Sequence, residues 1–547
     1  MGRPTRCLLV YPEFTLPSFW NFRVTCELRG AKYPSPPLGL ITVAALLPRE
    51  WDLRLVDCNV EKLTDAHLAW ADLVFTGGML PQQVSCLRVV KRAQALGKTV
   101  VVGGPDATSS PHIFEHAEHL ITGEAEVTLP RWLADFQAGK AERRYEAGTE
   151  KADMTASPQP RFDLLKFDNY LYPSIQFGRG CPFVCEFCDI IELFGRVPRL
   201  KTTEQMLAEL DRIYAMGYRG HLNFVDDNFV GNKRDVKKFM PKLIEWQEAH
   251  NWPFELSTEA SINIADDDEL LGQMQQAGFA SLFVGIESPD EETLRHMQKK
   301  QNTKRKLAES LEKIYAHGMF VNTGYIIGFD TERASVAEGM LELIEASATP
   351  VNMVGLLFAL PNTQLARRLQ REGRLFEHWD RMPEDLECGD QCAIGINFTS
   401  LRPRLDILRD YRQVVDQSFE PRSYFGRVER VSLMMNCAGK KLRQNLRDHI
   451  RDLTGLARLT WRMGVVSPLR GLYWKTMARV ARKNPKGIRY TVALLGLYLH
   501  FGPFRDFVLE HMNKAIELEE SHDGASVEAL AELGQHDTHT PAEPSMA

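Results

Sequence analysis

Short apolar runs alternate with helix-length segments along two-thirds of this chain, and that rhythm constrains its fold more than any other feature. Runs 7–11, 53–57, 73–76 and 99–103 each stop at Gly, Pro or Asp, and segments 37–47 and 82–96 lie between them. Strand and helix in turn predict a parallel, doubly wound sheet of Rossmann type. Such sheets bind ligands at the carboxyl ends of their strands, where the sequence places Gly77-Gly78 and Gly103-Gly104-Pro105. Residues 141–159 are polar and precede Pro160, which marks a linker. The alternation then resumes, with strands expected at 174–177, 221–225, 254–256, 282–286, 320–327 and 353–358 and helices at 203–216, 233–250 and 334–345. Six strands so spaced predict a partial (β/α)6 TIM-like barrel, open at the carboxyl ends of its strands. Beyond Gly373 strand signals fade and helices are expected. A chain of 547 residues is too long for one core. The expected division is an α/β domain at 1–145, a linker at 146–165, the barrel at 166–372, a mainly helical domain at 373–533 and a disordered tail at 534–547.

The chemistry concentrates on the loop after the first barrel strand. Cys181, Cys185 and Cys188 are spaced C-x3-C-x2-C, close enough for three thiolates to converge on one soft metal site. A structural zinc takes four ligands, whereas three thiolates on a four-iron cluster leave one iron open for a substrate or cofactor. A buried or zinc-binding cysteine cluster is the competing reading. The other barrel strands end in Asp226-Asp227-Asn228, Ser257-Thr258-Glu259, Glu287-Ser288 and Ile327-Gly328. Strand ends in barrels carry chemistry, and these supply acceptors for an ammonium and ribose hydroxyls. Any one carboxylate also reads as a cap or an ion-pair partner.

At these residues the segment resembles the radical S-adenosylmethionine enzymes, whose C-x3-C-x2-C loop binds a four-iron, four-sulfur cluster. The resemblance implies that the aromatic residue before the third cysteine, Phe187, lies near the adenine. It implies that Asp226 and Asp227 contact the methionine amine, that Glu259 meets the ribose or amine, and that Glu287, in Gly285-Ile286-Glu287, lines the adenosyl site with Gly328. The unique iron would chelate S-adenosylmethionine, and one electron would cleave its C–S bond. The first domain resembles the cobalamin-binding domain of one branch of the family, with Glu124 in Gly123-Glu-Ala-Glu126. Pro12, Gly77, Gly78, Gly103, Gly104, Pro105 and Glu124 are then its cobalamin-binding residues. The D-x-H-x-x-G motif that supplies a cobalt ligand in some relatives is absent after the first strand, where Tyr11-Pro12-Glu13 stands. Whether the cobalt has a protein ligand is left open, and a scaffold that binds nothing is the competing reading.

From residue 172 to the helical tail, including the loop Arg196 to Lys201, the chain is similar to the cobalamin-dependent group that contains hopanoid methylases. That resemblance implies methylation of an unactivated carbon, which is no nucleophile and needs radical chemistry first. A cyclisation or rearrangement enzyme would share the motifs. A non-catalytic iron–sulfur or electron-relay protein has no need of carboxylates at successive strand ends. The implied partners are a small hydrophobic substrate and an electron donor such as flavodoxin or ferredoxin.

Charge and cysteine usage set the surroundings. A net charge of −6 implies no bulk affinity for nucleic acid. Scattered cysteines and no secretory-type start predict a reducing cytoplasm, and no apolar run is long enough to predict a membrane span. Arg479, Arg482, Lys483, Lys486 and Arg489 precede the apolar run 490–501, which reads as a core helix first and as a peripheral membrane contact second. Cys388 and Cys392 read as ordinary residues or as ligands of a second cluster.

Overall fold

The computed structural model describes residues 3–14, 17–382, 395–437 and 442–521. Cys388, Cys392 and the tail at 534–547 lie outside the described residues. The first sheet consists of β1 (Arg6–Tyr11), β2 (Asp52–Asp57), β3 (Leu73–Gly77), β4 (Thr99–Gly103), β5 (His119–Thr122) and β6 (Arg144–Glu146). All pair in parallel in the order β2-β1-β3-β4-β5-β6, so the winding reverses between β1 and β3. Val10, Val74, Val100 and Val102 pack one face of the sheet, and Leu9, Phe75, Val101 and Trp132 the other. β6 falls inside the stretch the sequence marks as linker: Tyr145 is buried between two exposed charged residues, too short a pattern to read as a strand. The rest of that stretch is ordered against both domains, with Ala152 and Met154 buried.

The second sheet holds β7 (Ser174–Ile175), then, after the short antiparallel pair β8 (Gly178–Arg179) and β9 (Arg199–Leu200), β10 (Gly220–Phe224), β11 (Phe254–Glu259), β12 (Phe279–Glu287), β13 (Phe320–Ile327) and β14 (Asn352–Leu356). Its six parallel strands follow chain order, an open partial barrel. Leu282, Val284 and Ile286 on β12 pack outward against the helices with no exposed surface, leaving the alternate residues to face the lumen.

Helix Ile488–Ser521 begins with Arg489 and the apolar run 490–501 noted above. Segment Pro485–Ser521 is long and apolar enough to cross a membrane by length and composition, contrary to the sequence expectation. Its apolar face is spent in the core instead: Tyr490, Leu494, Leu495, Phe501, Phe504 and Val508 are buried, and Tyr424 donates to the Leu494 carbonyl at 2.7 Å. Phe19 and Phe22 pack on Phe501, tying the N-terminal segment to this helix.

Segment 377–382 closes over the first domain through Gln83, which accepts from the Met382 amide at 2.8 Å and donates to Asp106 at 3.1 Å. The second Asp106 carboxylate oxygen has no hydrogen-bond partner among the described residues, and burial pushes its carboxyl up to about 7. The folded state thus holds a proton that the unfolded chain releases near pH 4, so this group's contribution to stability falls as pH rises from about 4 to about 7. Asp106→Asn is expected to flatten the melting temperature across that window and to stabilise the apoprotein at pH 8 by about 1–3 kcal/mol, read by thermal unfolding.

Candidate active site

The cysteine loop leaves β8 and is held from beneath by carboxylates of the next strand end. Asp226 accepts the Phe177 amide at 3.1 Å and the Gly178 amide at 2.5 Å, and Asp227 accepts the Gly180 amide at 2.8 Å. Gly180, at φ +92°, sits where a Cβ would come within 2.9 Å of the carbonyls of Gly195 and Val197, so only glycine lets the loop turn there. The Cys181 amide donates to the Gly195 carbonyl at 3.2 Å, and the Glu186 amide to the Met297 carbonyl at 3.1 Å. Glu186 is buried against Arg368 at 3.0 Å, and Arg368 bonds Asp330 in turn at 2.7 Å. The three thiols are free, and side-chain amides point at two of them: Asn228 at 3.7 Å from Cys181 Sγ and Gln301 at 3.8 Å from Cys185 Sγ. Among the described residues no three His, Cys, Asp or Glu side chains close tightly enough around one metal ion. Three thiols on one loop with amide donors to sulfur suit a larger, sulfur-bridged cluster better than a zinc ion.

A buried ion pair that sequence reasoning missed stands beside these thiols. Lys299 bonds Glu287 at 2.7 Å and lies 5.9 Å from the centre of the Phe187 ring. Burial works against its charge, but Glu287 and then Cys185 more than offset that, so its ammonium stays protonated above the usual lysine range. Glu287 itself is held at φ +67°. A Cβ at Gly285 would strike the Glu287 carboxylate at 2.2 Å and Lys299 Nζ at 2.9 Å. Gly285→Ala is therefore expected to force the pair apart and cost about 1–3 kcal/mol in thermal unfolding.

Burial raises the carboxyls of Asp226 to about 7 and of Asp227 to about 6. Glu259 is open to the cleft but set deep among protein atoms, which lifts its carboxyl to about 7. The two aspartates already brace backbone amides, whereas Glu259 has an open face. Gly328, at φ +118°, donates its amide to Glu332 at 2.9 Å and is crowded by Ile396 and Leu357. Phe187 packs edge-on against Phe329, with ring centres 6.0 Å apart.

At the carboxyl ends of β3 and β4 a cavity of about 360 Å³ opens between the two sheets. Gly77, Gly78, Gly103, Gly104 and Pro105 line one side; Gln176, Arg179, Phe194 and Val225 line the barrel side. The glycines bring two strand ends together: a Cβ at Gly77 would lie 2.2 Å from the Gly103 carbonyl oxygen. Tyr11, which the sequence reading passed over, lines the cavity, whereas its neighbour Pro12 does not and instead accepts from Gln82 at 2.6 Å. No histidine is among the lining residues. Glu124 lines the cavity, but its carboxylate bonds Arg179 at 3.0 Å, Arg199 at 2.9 Å and the Ala152 amide at 3.2 Å. Glu126 holds the other side of Arg179 at 2.8 Å. Arg179 stands two residues before Cys181, so one guanidinium ties the cavity wall to the cysteine loop. Its signal in the sequence is a charge between two glycines, Gly178-Arg179-Gly180, at the end of an apolar run.

Comparison with known proteins agrees with this geometry. The Radical SAM superfamily profile matches residues 175–344, and a domain of unknown function, DUF4070, matches 363–514. The chain is 41% identical to an uncharacterized methyltransferase of Synechocystis, over 93% of this chain and 94% of the relative. It is 34% identical to the hopanoid C-2 methylase of Rhodopseudomonas palustris, over 87% and 89%. Among solved structures, the cobalamin-dependent S-adenosylmethionine radical enzyme OxsB matches with TM-score 0.58 and 14% identity over 95% of this chain and 84% of that one. The radical S-adenosylmethionine methyltransferase TsrM of Kitasatospora setae matches with TM-score 0.54 and 17% identity over 68% and 78%. At such identities the structural matches speak for the fold, and the two longer sequence matches speak for descent. The chain belongs to the radical S-adenosylmethionine superfamily, in the methyltransferase family that includes the hopanoid C-2 methylase.

Proposed function

We propose that this protein is a cobalamin-dependent radical S-adenosylmethionine methyltransferase acting in the cytoplasm on an unactivated carbon of a hydrophobic, hopanoid- or lipid-like substrate. The observation that carries this reading is the shared interface: a glycine-lined cavity at the strand ends of the first domain opens onto Arg179 and Gln176, a few residues from Cys181. In this reading Cys181, Cys185 and Cys188 hold the cluster. Phe187, Asp226, Asp227, Glu259, Glu287 and Gly328 surround S-adenosylmethionine, Asp226 and Asp227 through the backbone they brace. Gly77, Gly78, Gly103, Gly104 and Pro105 cradle cobalamin. The work divides accordingly, with residues 1–145 for cobalamin, 166–372 for cluster and S-adenosylmethionine, and 373–533 as helical cover.

When bound, the cluster and cobalamin supply the electron that opens S-adenosylmethionine and the methyl group that is transferred. The chain's own residues place and insulate these groups. Glu259 offers its open face as an acceptor to an ammonium or hydroxyl, and a bound ligand that covers it would displace water and strengthen such a bond. Lys299 sets a positive charge beside two cluster thiols and bonds the Glu287 carboxylate at 2.7 Å. An external donor such as a flavodoxin or ferredoxin supplies the electron. The substrate class follows the 34% identical relative, which is named for methylating a hopanoid.

The test is anaerobic. The cluster is rebuilt, bound cofactors are read by absorbance, and dithionite, S-adenosylmethionine and a hopanoid are added. Cobalamin retention, both 5′-deoxyadenosine and S-adenosylhomocysteine, and a product heavier by one CH2 are expected. A product of unchanged carbon count would identify a cyclase or rearrangement enzyme, and no cleavage of S-adenosylmethionine would leave only an iron–sulfur binding protein.

A further inference from the structure

Eight of the fifteen large apolar side chains that the described residues leave exposed gather on one stretch. Leu446, Ile450, Leu453, Trp461, Val466 and Trp474 are each 50–75% exposed, all within 29 residues of chain. Helix Leu446–Leu459 turns the first three outward at i, i+4 and i+7, while its opposite side docks on helix Arg23–Leu28. There Leu459 is buried, Gly455 approaches the Leu28 carbonyl, and Arg458 donates to the carbonyls of Glu27 and Leu28 at 3.0 and 3.1 Å. The face is therefore held rigidly by its inner side and has an apolar outer side with no described element over it. Gly464 lets Trp474 cross helix 460–466 and donate its indole N–H to the Gly464 carbonyl at 2.8 Å, which leaves half of the ring in solvent.

Charge says what covers this face. Residues 446–489 contain eleven Lys and Arg against two Asp, in a chain whose net charge is −6. Some of these cations are paired, as Arg447 is with Asp168 and Arg479 with Glu429. Arg470, Lys475, Arg482 and Lys483, all exposed, have no acidic partner among the described residues. A nucleic acid would use the cations but not six exposed apolar side chains, and a redox partner needs the cluster end. This face lies at the other end: the segment leading into it bonds the carbonyls of Gly217 and Trp252, just before β10 and β11 begin, whereas Cys181–Cys188 follow a strand's carboxyl end. Exposed tryptophans and leucines flanked by unpaired cations match an anionic bilayer, with rings at headgroup depth and cations against lipid phosphates.

We infer that helices Leu446–Leu459 and Arg470–Lys483, with the turn between them, dock the enzyme peripherally on an anionic lipid bilayer. This places the membrane contact away from the 490–501 run, which the core consumes. It deepens the proposed lipid-like substrate but is read without turnover, so either idea can fail while the other stands.

The test is flotation of the full-length, cluster-loaded protein with vesicles of equal parts phosphatidylglycerol and phosphatidylcholine, and with pure phosphatidylcholine. Binding to the mixed vesicles that weakens with salt is expected, with little on the neutral ones. Trp461→Ser with Trp474→Ser should weaken it by at least about tenfold. Lys475→Gln, Arg482→Gln and Lys483→Gln together should weaken it by about a hundredfold. The charge variant should keep the wild-type melting temperature, because its side chains are exposed, while the tryptophan variant loses the Trp474 bond to Gly464 and is compared at a temperature where circular dichroism shows it folded. Brominated acyl chains should quench tryptophan fluorescence of the unaltered protein, a reading that needs no variant. Absence of binding, binding indifferent to both variants, competition by transfer RNA instead of lipid, or a dimer in sedimentation that the tryptophan changes dissociate would each overturn the proposal.

Discussion

Replacing Cys188 with alanine is expected to abolish the cluster's charge-transfer absorbance and to reduce 5′-deoxyadenosine formation to that of a protein-free control, while the protein keeps its fold. Two thiolates cannot hold a four-iron cluster that already leaves one iron without a protein ligand. Folding survives because the core behind the loop is built without it: Ile175 and Phe224 on the strands pack with Phe177 and with Phe239 of helix Lys233–Ala249, all buried. Burial pushes the Cys188 thiol well above its usual range, with nearby Asp189 adding to the effect, so without a cluster this thiol stays protonated. Cys58→Ala and Cys437→Ala are the matched controls, because those thiols lie outside the loop. They should retain full absorbance and cleavage. Lys299→Met makes a third arm: iron content should persist while affinity for S-adenosylmethionine falls, because Glu287 loses its ion pair with Lys299. If Cys188→Ala retained cleavage activity, the cysteine loop would not be the cluster site.

The parts of this fold that were legible in the sequence are those whose physics is local. β4 and β13 have the bounds expected from their apolar runs, and the cysteines and strand-end carboxylates fall at one end of the barrel, because a strand's end is written in the Gly or Asp that stops it. What was not legible depends on tertiary pairing. Asp226 reads as a free acceptor in sequence, yet both of its oxygens are taken by amides 48 and 49 residues away. Lys299 sits in a polar run that resembles any solvated helix end; only folding brings it to Glu287. The exposed stripe Leu446, Ile450, Leu453 has the same spacing as a core-facing stripe, so its direction cannot be read from period alone. For the run 490–501 the choice between core and membrane was likewise a matter of packing, and packing chose the core.

Arg179→Met is expected to be the most damaging single change outside the cysteine loop. Its side chain is 12% exposed and faces two carboxylates, Glu124 at 1% and Glu126 at 9%. Removing the guanidinium strands both in a low-dielectric interface, and breaking such a buried pair costs about 3–5 kcal/mol. The loss has a pH signature. Burial alone would raise the Glu126 carboxyl, but Arg179 reverses this and holds it below the usual range. A depressed carboxyl contributes stability above its unfolded value near 4.5 and loses it as pH falls further. The gap in melting temperature between Arg179→Met and the parent should therefore be widest near pH 8 and shrink as pH falls below about 4.5, where Glu126 begins to protonate. Adding Glu126→Gln to Arg179→Met should recover part of the loss, because a neutral amide needs no counter-charge. Cobalamin retention should fall with the single change more than with the double one, since Glu124, Glu126 and Arg179 all line the cavity wall. A gap independent of pH, or a double variant no better than the single, would mean that Arg179 acts through the packing of its stem and not as the charge that joins the two domains.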